Sequence, residues 1–230
     1  MAWIETYEEL EKVDSSILEL SVKSREIKGL DFLARFERLQ TLDLNSIKTD
    51  SLDKIGKLKS LKILRLTNIG NGSNLNPLAN LTNLEDLIIQ TPPSWDGGSK
   101  RIGYESLEPL SHLNKLKKLS LFDIQFKTDG LNPLCKLTGM KELLIRNQFT
   151  TFDFAELSIH LPDLKCQYTK PYTIWKGFEY YRCKKCNEMK VEFSGVDLKR
   201  RVFCLNCNKK RTDELIERFY EVKKTVPNNL

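Results

Sequence analysis

An α/β solenoid ending in a small separate module is the fold class that this chain of 230 residues predicts. Three observations carry it. First, the segment LNKLKKLSL sets Leu113, Leu116, Leu119 and Leu121 at steps of three residues that close with one step of two. A helix alternates threes and fours, and a strand alternates every residue, so neither gives this period. The mixed spacing fits a chain that rounds a bend and enters one short strand, with the two residues of the final L-x-L pointing inward. Second, the pattern recurs at Phe36, Leu39, Leu42 and Leu44, at Leu58, Leu61, Leu64 and Leu66, at Leu81, Leu84, Leu87 and Ile89, and at Leu137, Met140, Leu143 and Ile145. Third, the pattern stops at Thr169, and the charge balance and cysteine content change beyond it.

A weaker first copy ends in Leu18 and Leu20, and a decayed last copy has Leu161 and Leu164 but offers Gln167 and Thr169 at the strand positions. Measured at the third apolar position (18, 42, 64, 87, 119, 143, 167), the steps are 24, 22, 23, 32, 24 and 24. A period of about 20 to 29 residues with L-x-x-L-x-L is the mark of leucine-rich repeats. After the strands come Leu75-Asn76-Pro77-Leu78, Leu107-Glu108-Pro109-Leu110 and Leu131-Asn132-Pro133-Leu134. Residues 13–169 thus resemble the short, internalin-like class of leucine-rich repeat. The resemblance implies a curved right-handed superhelix with a parallel concave sheet and short 3₁₀ or single-turn helices on the convex side. A Pro opening such a turn lacks only a hydrogen that would have had no partner. Where this class usually carries a buried Asn ladder, three residues past the last strand leucine, the chain has Ile47, Ile69, Pro92, Ile124 and Gln148. Apolar packing is expected to replace the ladder.

In chain order, Thr6 followed by Glu9 has capping-box spacing and predicts a helix from about Tyr7 to Val13 within an N-terminal cap, residues 1–12. A solenoid needs such a lid over its first apolar edge, and Trp3 and Ile4 are placed to help. Seven strands then stack over residues 13–169, making a surface on the order of 30 Å long. Outward residues between the strand apolars are Glu19, Asp43, Arg65, Ile88, Ser120 and Leu144, and just beyond them lie Asn45, Thr67, Gln90, Phe122 and Arg146. A charged first half gives way to Ile88, Phe122 and Leu144, flanked by Arg65 and Arg146. Apolar side chains bordered by arginine read as an interface core with a polar rim, and repeat concavities habitually bind partners. The competing reading is that the C-terminal module folds over the patch.

The long repeat carries its excess in Thr91 to Glu105, where Pro92-Pro93 ends the strand and Gly97-Gly98 makes a turn. This loop bears Trp95, Lys100, Arg101 and Tyr104, residue types that anchor interfaces. A cheaply tolerated insertion is the alternative. Cys135 and Cys166 read as small buried hydrophobes, and His112 and His160 as structural residues without a ligand or catalytic pattern.

Residues 170–182 hold Tyr172, Trp175, Phe178, Tyr180 and Tyr181, read as an aromatic joint that lids the last repeat. Residues 183–230 form the second module. Cys183-Lys-Lys-Cys186 is followed after 17 residues by Cys204-Leu-Asn-Cys207, the spacing of a zinc ribbon. Four thiolates from two knuckles would converge on one tetrahedral ion, and a closed four-cysteine site leaves no position for water, so a structural zinc is expected, with two disulfides or a redox pair as the alternative. Asn187 and Asn208 follow the knuckles, and Asn tolerates the left-handed turn needed there. Met189–Phe193 and Arg201–Phe203 read as strands joined through Ser194-Gly195, and Thr212 begins a helix to about Val222.

No run of 18 apolar residues exists, so no transmembrane helix is expected, and the acidic start MAWIETYEELEKV lacks the plan of a signal peptide. The sequence therefore predicts a cytoplasmic protein, in which cysteines more often hold metal than form disulfides. Up to Thr169 there are 22 Lys+Arg and 23 Asp+Glu, a balance of −1; from Lys170 there are 15 and 8, a balance of +7, and the two sum to the net +6. Lys199, Arg200, Arg201, Lys209, Lys210 and Arg211 flank the second knuckle, where clustered cations beside Phe203 would suit phosphate contact and stacking. A solvated or protein-facing surface is the competing reading. No phosphate loop, HExxH, nucleophile elbow or paired acidic site appears. The leading expectation is a non-enzymatic module that binds a protein on its concave face. The resemblance implies a cytosolic bacterial repeat protein with an immunity or regulatory role. The alternative is a nucleic-acid adaptor acting through the ribbon. A ubiquitin-ligase-like adaptor would need eight ligands for two zinc ions.

Overall fold

The computed structural model describes residues 3–69, 74–91, 102–127, 130–175 and 181–227. The chain divides into two compact units, one of Met1–Asp129 with Leu137–Arg146, the other of Gly130–Lys136 with Asn147–Leu230.

The first unit is a leucine-rich-repeat solenoid. It opens with α1 (Tyr7–Glu11), whose capping box is complete: the Thr6 hydroxyl accepts from the Glu9 N–H, and the Glu9 carboxylate accepts from the Thr6 N–H. Strands β1 (Glu19–Lys23), β2 (Thr41–Asn45), β3 (Ile63–Thr67), β4 (Asp86–Gln90), β5 (Ile102–Tyr104), β6 (Lys118–Phe122), β7 (Ile124–Phe126) and β8 (Glu142–Ile145) follow. Six of them form one parallel sheet in the order β1-β2-β3-β4-β6-β8. The register sets Leu20, Leu42, Leu64, Leu87, Leu119 and Leu143 in one row, all buried. Val22, Leu44, Leu66, Ile89, Leu121 and Ile145 make the second row. Burying one such side chain contributes about 1.5 to 3 kcal/mol, so the rows are the main source of the unit's stability.

Strands β2, β3 and β6 leave the sheet through a left-handed residue where the main chain turns sharply. Ser46, Asn68 and Asp123 have φ of 61°, 54° and 53°. The Ser46 and Asn68 N–H groups donate to the Thr67 and Gln90 carbonyls of the next repeat, so the turns are stitched together. Ile47, Ile69 and Ile124 are buried at the positions where the family has Asn. On the far side lie 3₁₀ turns at Asp31–Arg35, Ile55–Lys57, Asn76–Asn80 and Glu108–His112, the last two opened by Pro. Neighbouring turns approach closely: a Cβ on Gly56 would lie 2.5 Å from the Pro77 carbonyl oxygen.

Two sequence expectations are corrected in this unit. The first repeat is shifted by two residues, since Leu20 and Val22 align with Leu42 and Leu44 while Leu18 is exposed. Ser21, not Glu19, is therefore in line with Asp43. The shift follows from Ile4, which bridges Val22 in parallel and covers that edge. Within the long repeat, β5 pairs in parallel with β7, and Tyr104 is buried, its ring 6.0 Å from that of Phe126. Tyr104 is thus a core residue and not a loop anchor. Pro92-Pro93 and Gly97-Gly98 of the same repeat lie outside the described residues.

The second unit holds α2 (Asn132–Cys135), α3 (Thr151–His160), β9 (Tyr172–Ile174), β10 (Val191–Phe193), β11 (Val202–Phe203) and α4 (Lys209–Thr225). Among the described residues the expected seventh repeat strand is absent: Gln167 and Thr169 lie in turns. Polar residues at its inward positions give it nothing to bury. Upstream of those positions α3 forms, with the Thr150 and Asp153 capping box at its start and Phe154, Ala155 and Leu157 buried. The expected joint supplies β9, which completes an antiparallel sheet β11-β10-β9. Phe178 and Tyr180 of that joint lie outside the described residues. Val191, Phe193, Leu198, Phe203 and Leu215 form the core of the sheet. Helix α4 begins three residues before the expected Thr212, immediately after Asn208, because the knuckle itself turns into the helix.

Gly56→Ala should cost about 1 to 3 kcal/mol, because the methyl meets main chain that has no rotamer to yield. Leu119→Ala should cost about 2 to 5 kcal/mol. Urea unfolding followed by circular dichroism reads both; an unshifted midpoint for Gly56→Ala would mean that the adjacent turns separate freely.

Candidate metal centre and outward sheet face

The first knuckle is built by main-chain geometry. The Asn187 N–H donates to the Cys183 carbonyl at 2.8 Å, and the φ of 61° at Asn187 turns the chain back so that the Glu188 carbonyl accepts from the Cys183 N–H at 2.8 Å. At the second knuckle the Asn208 N–H donates to the Cys204 carbonyl at 3.0 Å and the Cys207 N–H points at Cys204 Sγ at 3.5 Å. Asn208 departs from the expected left-handed turn, with φ −120°, and instead caps α4 while its Oδ1 accepts from the Cys204 N–H at 3.3 Å.

These turns bring the Sγ atoms of Cys183, Cys186, Cys204 and Cys207 all within 4.8 Å of one another. Cys183 and Cys207 are 3.8 Å apart, and Cys186 and Cys204 3.4 Å. Zinc–sulfur bonds of about 2.3 Å in a tetrahedron give edges of about 3.8 Å, so four thiols at these separations fit a divalent ion. A disulfide needs about 2.05 Å, and all four cysteines are free. The electrostatics match. The amide N–H groups of Lys185 and Cys186 hold the Cys183 thiol down to about 6, favouring thiolate. The same crowding pushes Cys207 up to about 12, first through its hydrogen bond with Cys186 and then through desolvation. One negative sulfur opposes the next until a cation joins them. By contrast burial pushes Cys135 up to about 12 and Cys166 up to about 11, which leaves both as inert thiols.

Of the six basic residues beside the second knuckle, Lys199, Arg200, Lys209, Lys210 and Arg211 are exposed and Arg201 is half-buried. Arg201 Nη1 donates to the Asn147 carbonyl at 2.7 Å. Arg200 lies over the Phe203 ring at 4.9 Å, and that ring is buried, so it is not offered to a base. Lys209 pairs with Asp213 at 3.3 Å and Arg211 with Glu214 at 2.9 Å, while Lys199 and Lys210 are exposed.

On the sheet, the register places Ser21, Asp43, Arg65, Ile88, Ser120 and Leu144 in one outward row. Lys23, Asn45, Thr67, Gln90 and Phe122 form the next. Phe122 is 36% and Leu144 47% exposed, and Ile88, Arg65 and Gln90 are partly so. Gln90 Nε2 donates to the Thr67 hydroxyl at 3.1 Å. Arg146 pairs with Asp123 at 2.8 Å, a buried carboxylate on the left-handed turn. Desolvation pushes the Asp43 carboxyl up, an effect that Arg65 partly offsets. Trp95, Lys100 and Arg101 lie outside the described residues. The residues that sequence reasoning missed are Asn147, Thr151 and Asp197, which join α3 to the ribbon hairpin; Thr150-x-x-Asp153 was the visible signal of that helix.

No protein-family model matches the chain, and no curated protein matches it. Among solved structures it is similar to internalin C2 of Listeria monocytogenes, at 22% identity and TM-score 0.47, over 64% of this chain and 59% of that one. It is also similar to another internalin of that organism, at 21% identity and TM-score 0.40, over 66% and 47% of the two chains. A leucine-rich-repeat protein of Leptospira interrogans follows at 18% identity and TM-score 0.40, over 63% and 40%. The match spans about three-fifths of internalin C2 and less of the others. The strand register and the two inward leucine rows, not these likenesses, establish the fold.

The chain purified under reducing conditions should carry about one divalent metal per molecule by plasma mass spectrometry, and Cys204→Ser should lower that content severalfold. Metal binding requires deprotonated thiols, so a chelator should strip the ion faster as pH falls. Stoichiometry near zero would remove the metal assignment.

Proposed function

We propose that this protein is a non-enzymatic, intracellular binding module that occupies one protein partner through the outward face of its repeat sheet, with a structural zinc in the four-cysteine site. The observation that carries the reading is that Ile88 and Leu144 stand on either side of Ser120, with Phe122 diagonal to both, on three successive strands of the sheet. Apolar side chains held on rigid backbone, with Arg65 and Arg146 at the border, have the composition of an interface core and rim. Gln90 and Trp95 belong to the same proposed surface, Gln90 through its strand register and Trp95 through the sequence of the loop that follows. A closed set of four cysteines supplies folding free energy and leaves no open coordination position, in keeping with a scaffold role. An immunity or regulatory role, exerted by occupying the partner, is the form of action that suits such a module.

The test is affinity capture from source-cell lysate with and without nuclease, read by mass spectrometry. A single nuclease-resistant partner is expected, lost in the Ile88→Asp/Leu144→Asp double variant while circular dichroism and metal content stay unchanged. Unaltered capture by the double variant would remove the sheet face from the reading. Recovery dominated by nuclease-sensitive material would move the function to the ribbon.

A further inference from the structure

We infer that metal occupancy of the four-cysteine site governs the folding of α3 as well as that of the ribbon, through a hydrogen-bonded clasp centred on Asn147. The inference rests on the metal reading above and concerns the second unit alone. Asn147 is buried, and its side chain and its carbonyl are spent on the ribbon. Its Nδ2 donates to the Phe193 carbonyl at 2.8 Å and to Glu192 Oε1 at 3.1 Å, and its Oδ1 accepts from the Gly195 N–H at 2.8 Å. Its own carbonyl accepts from Arg201 at 2.7 Å. Two residues on, the Phe149 carbonyl accepts from the Val196 N–H at 2.8 Å. At the first residue of α3, the Thr151 N–H donates to Asp197 Oδ1 at 2.7 Å, and the Thr151 hydroxyl lies 3.1 Å from the Ser194 carbonyl. The hairpin turn fits against this helix end only because residue 195 is glycine: φ there is 118°, and a Cβ would collide with the Thr151 hydroxyl and come within 2.7 Å of its nitrogen.

Neither partner in this clasp is self-sufficient. Helix α3 has ten residues, below the length at which an isolated helix persists in water. The ribbon has a core of five buried apolar residues, a size that depends on metal or disulfides. Strand β11 runs directly into Cys204, and α4, which packs on α3, starts directly after the second knuckle. Release of the ion therefore loosens the hairpin and α4 together, the two surfaces that α3 uses. The opposing possibility is that Phe154, packed against Phe149 at 6.3 Å and Tyr168 at 5.2 Å, holds α3 without the ribbon.

Hydrogen exchange with mass spectrometry on the full chain decides between them, comparing the zinc-loaded, EDTA-treated and zinc-restored protein, with native mass spectrometry reporting the bound ion. Amides of residues 151–160 should exchange at least about a hundredfold faster after chelation and recover with zinc, while those of β4 stay unchanged. In Asn147→Ala, or in Thr151→Val should that variant not fold, exchange in α3 should rise with one zinc still bound. Full protection of α3 in protein that native mass spectrometry shows to be metal-free would overturn the coupling. Absence of bound zinc before chelation would instead overturn the metal reading, and the coupling with it.

Discussion

The parallel register of the L-x-L pairs is the constraint on which the first unit depends. No strand of the main sheet exceeds five residues, and a single repeat has no face against which to bury its leucines. Only when Leu64 lies beside Leu42 on one side and Leu87 on the other does the inward row become continuous and dry. Everything else in the unit serves that alignment. The left-handed residues Ser46, Asn68 and Asp123 let β2, β3 and β6 end at the same level, and Gly56 lets the turns behind the sheet close to the same spacing. A sheet whose inner face is so fully committed leaves its outer face free to vary, and that is where charged, amide and apolar side chains succeed one another along a single row.

The second unit is held by a different principle. The apolar core of its ribbon is small, and there the weight passes to polar geometry: two knuckles that aim four sulfurs at one point, and a hairpin bonded through Phe193, Ser194, Gly195, Val196 and Asp197 to the segment that begins α3. Thiol chemistry separates the cysteines accordingly. Cys135 and Cys166 sit in apolar surroundings that suppress the thiolate, whereas Cys183 is surrounded by amide donors that favour it. Glu192 illustrates the economy of the unit, since the same carboxylate accepts from Asn147, from Trp175 Nε1 at 2.9 Å and from the Tyr168 hydroxyl at 3.4 Å.

Asp123 links fold to surface within the repeats. It occupies the left-handed turn after β6, is buried, and draws the Arg146 guanidinium to 2.8 Å, which orients one of the cations bordering Leu144. A residue chosen for a backbone conformation thereby helps to shape the face next to it.

Repetition and spacing were legible in the sequence alone because both are local. The leucine period determined the solenoid, the L-x-P-L segments its turns, Thr6 and Glu9 the first helix, and the two C-x-x-C pairs the convergence of four thiols. What depended on partners distant in the chain was not legible. The first repeat pairs through Val22 and not Leu18 because Ile4 covers its edge; Tyr104 is buried because β5 pairs with β7; Tyr172–Ile174 becomes a strand because Val191–Phe193 lies beside it. The clasp on Asn147 was invisible for the same reason. Its partners are 45 to 54 residues away, and no periodicity marks an amide side chain whose hydrogen bonds exist only once a hairpin has folded against it.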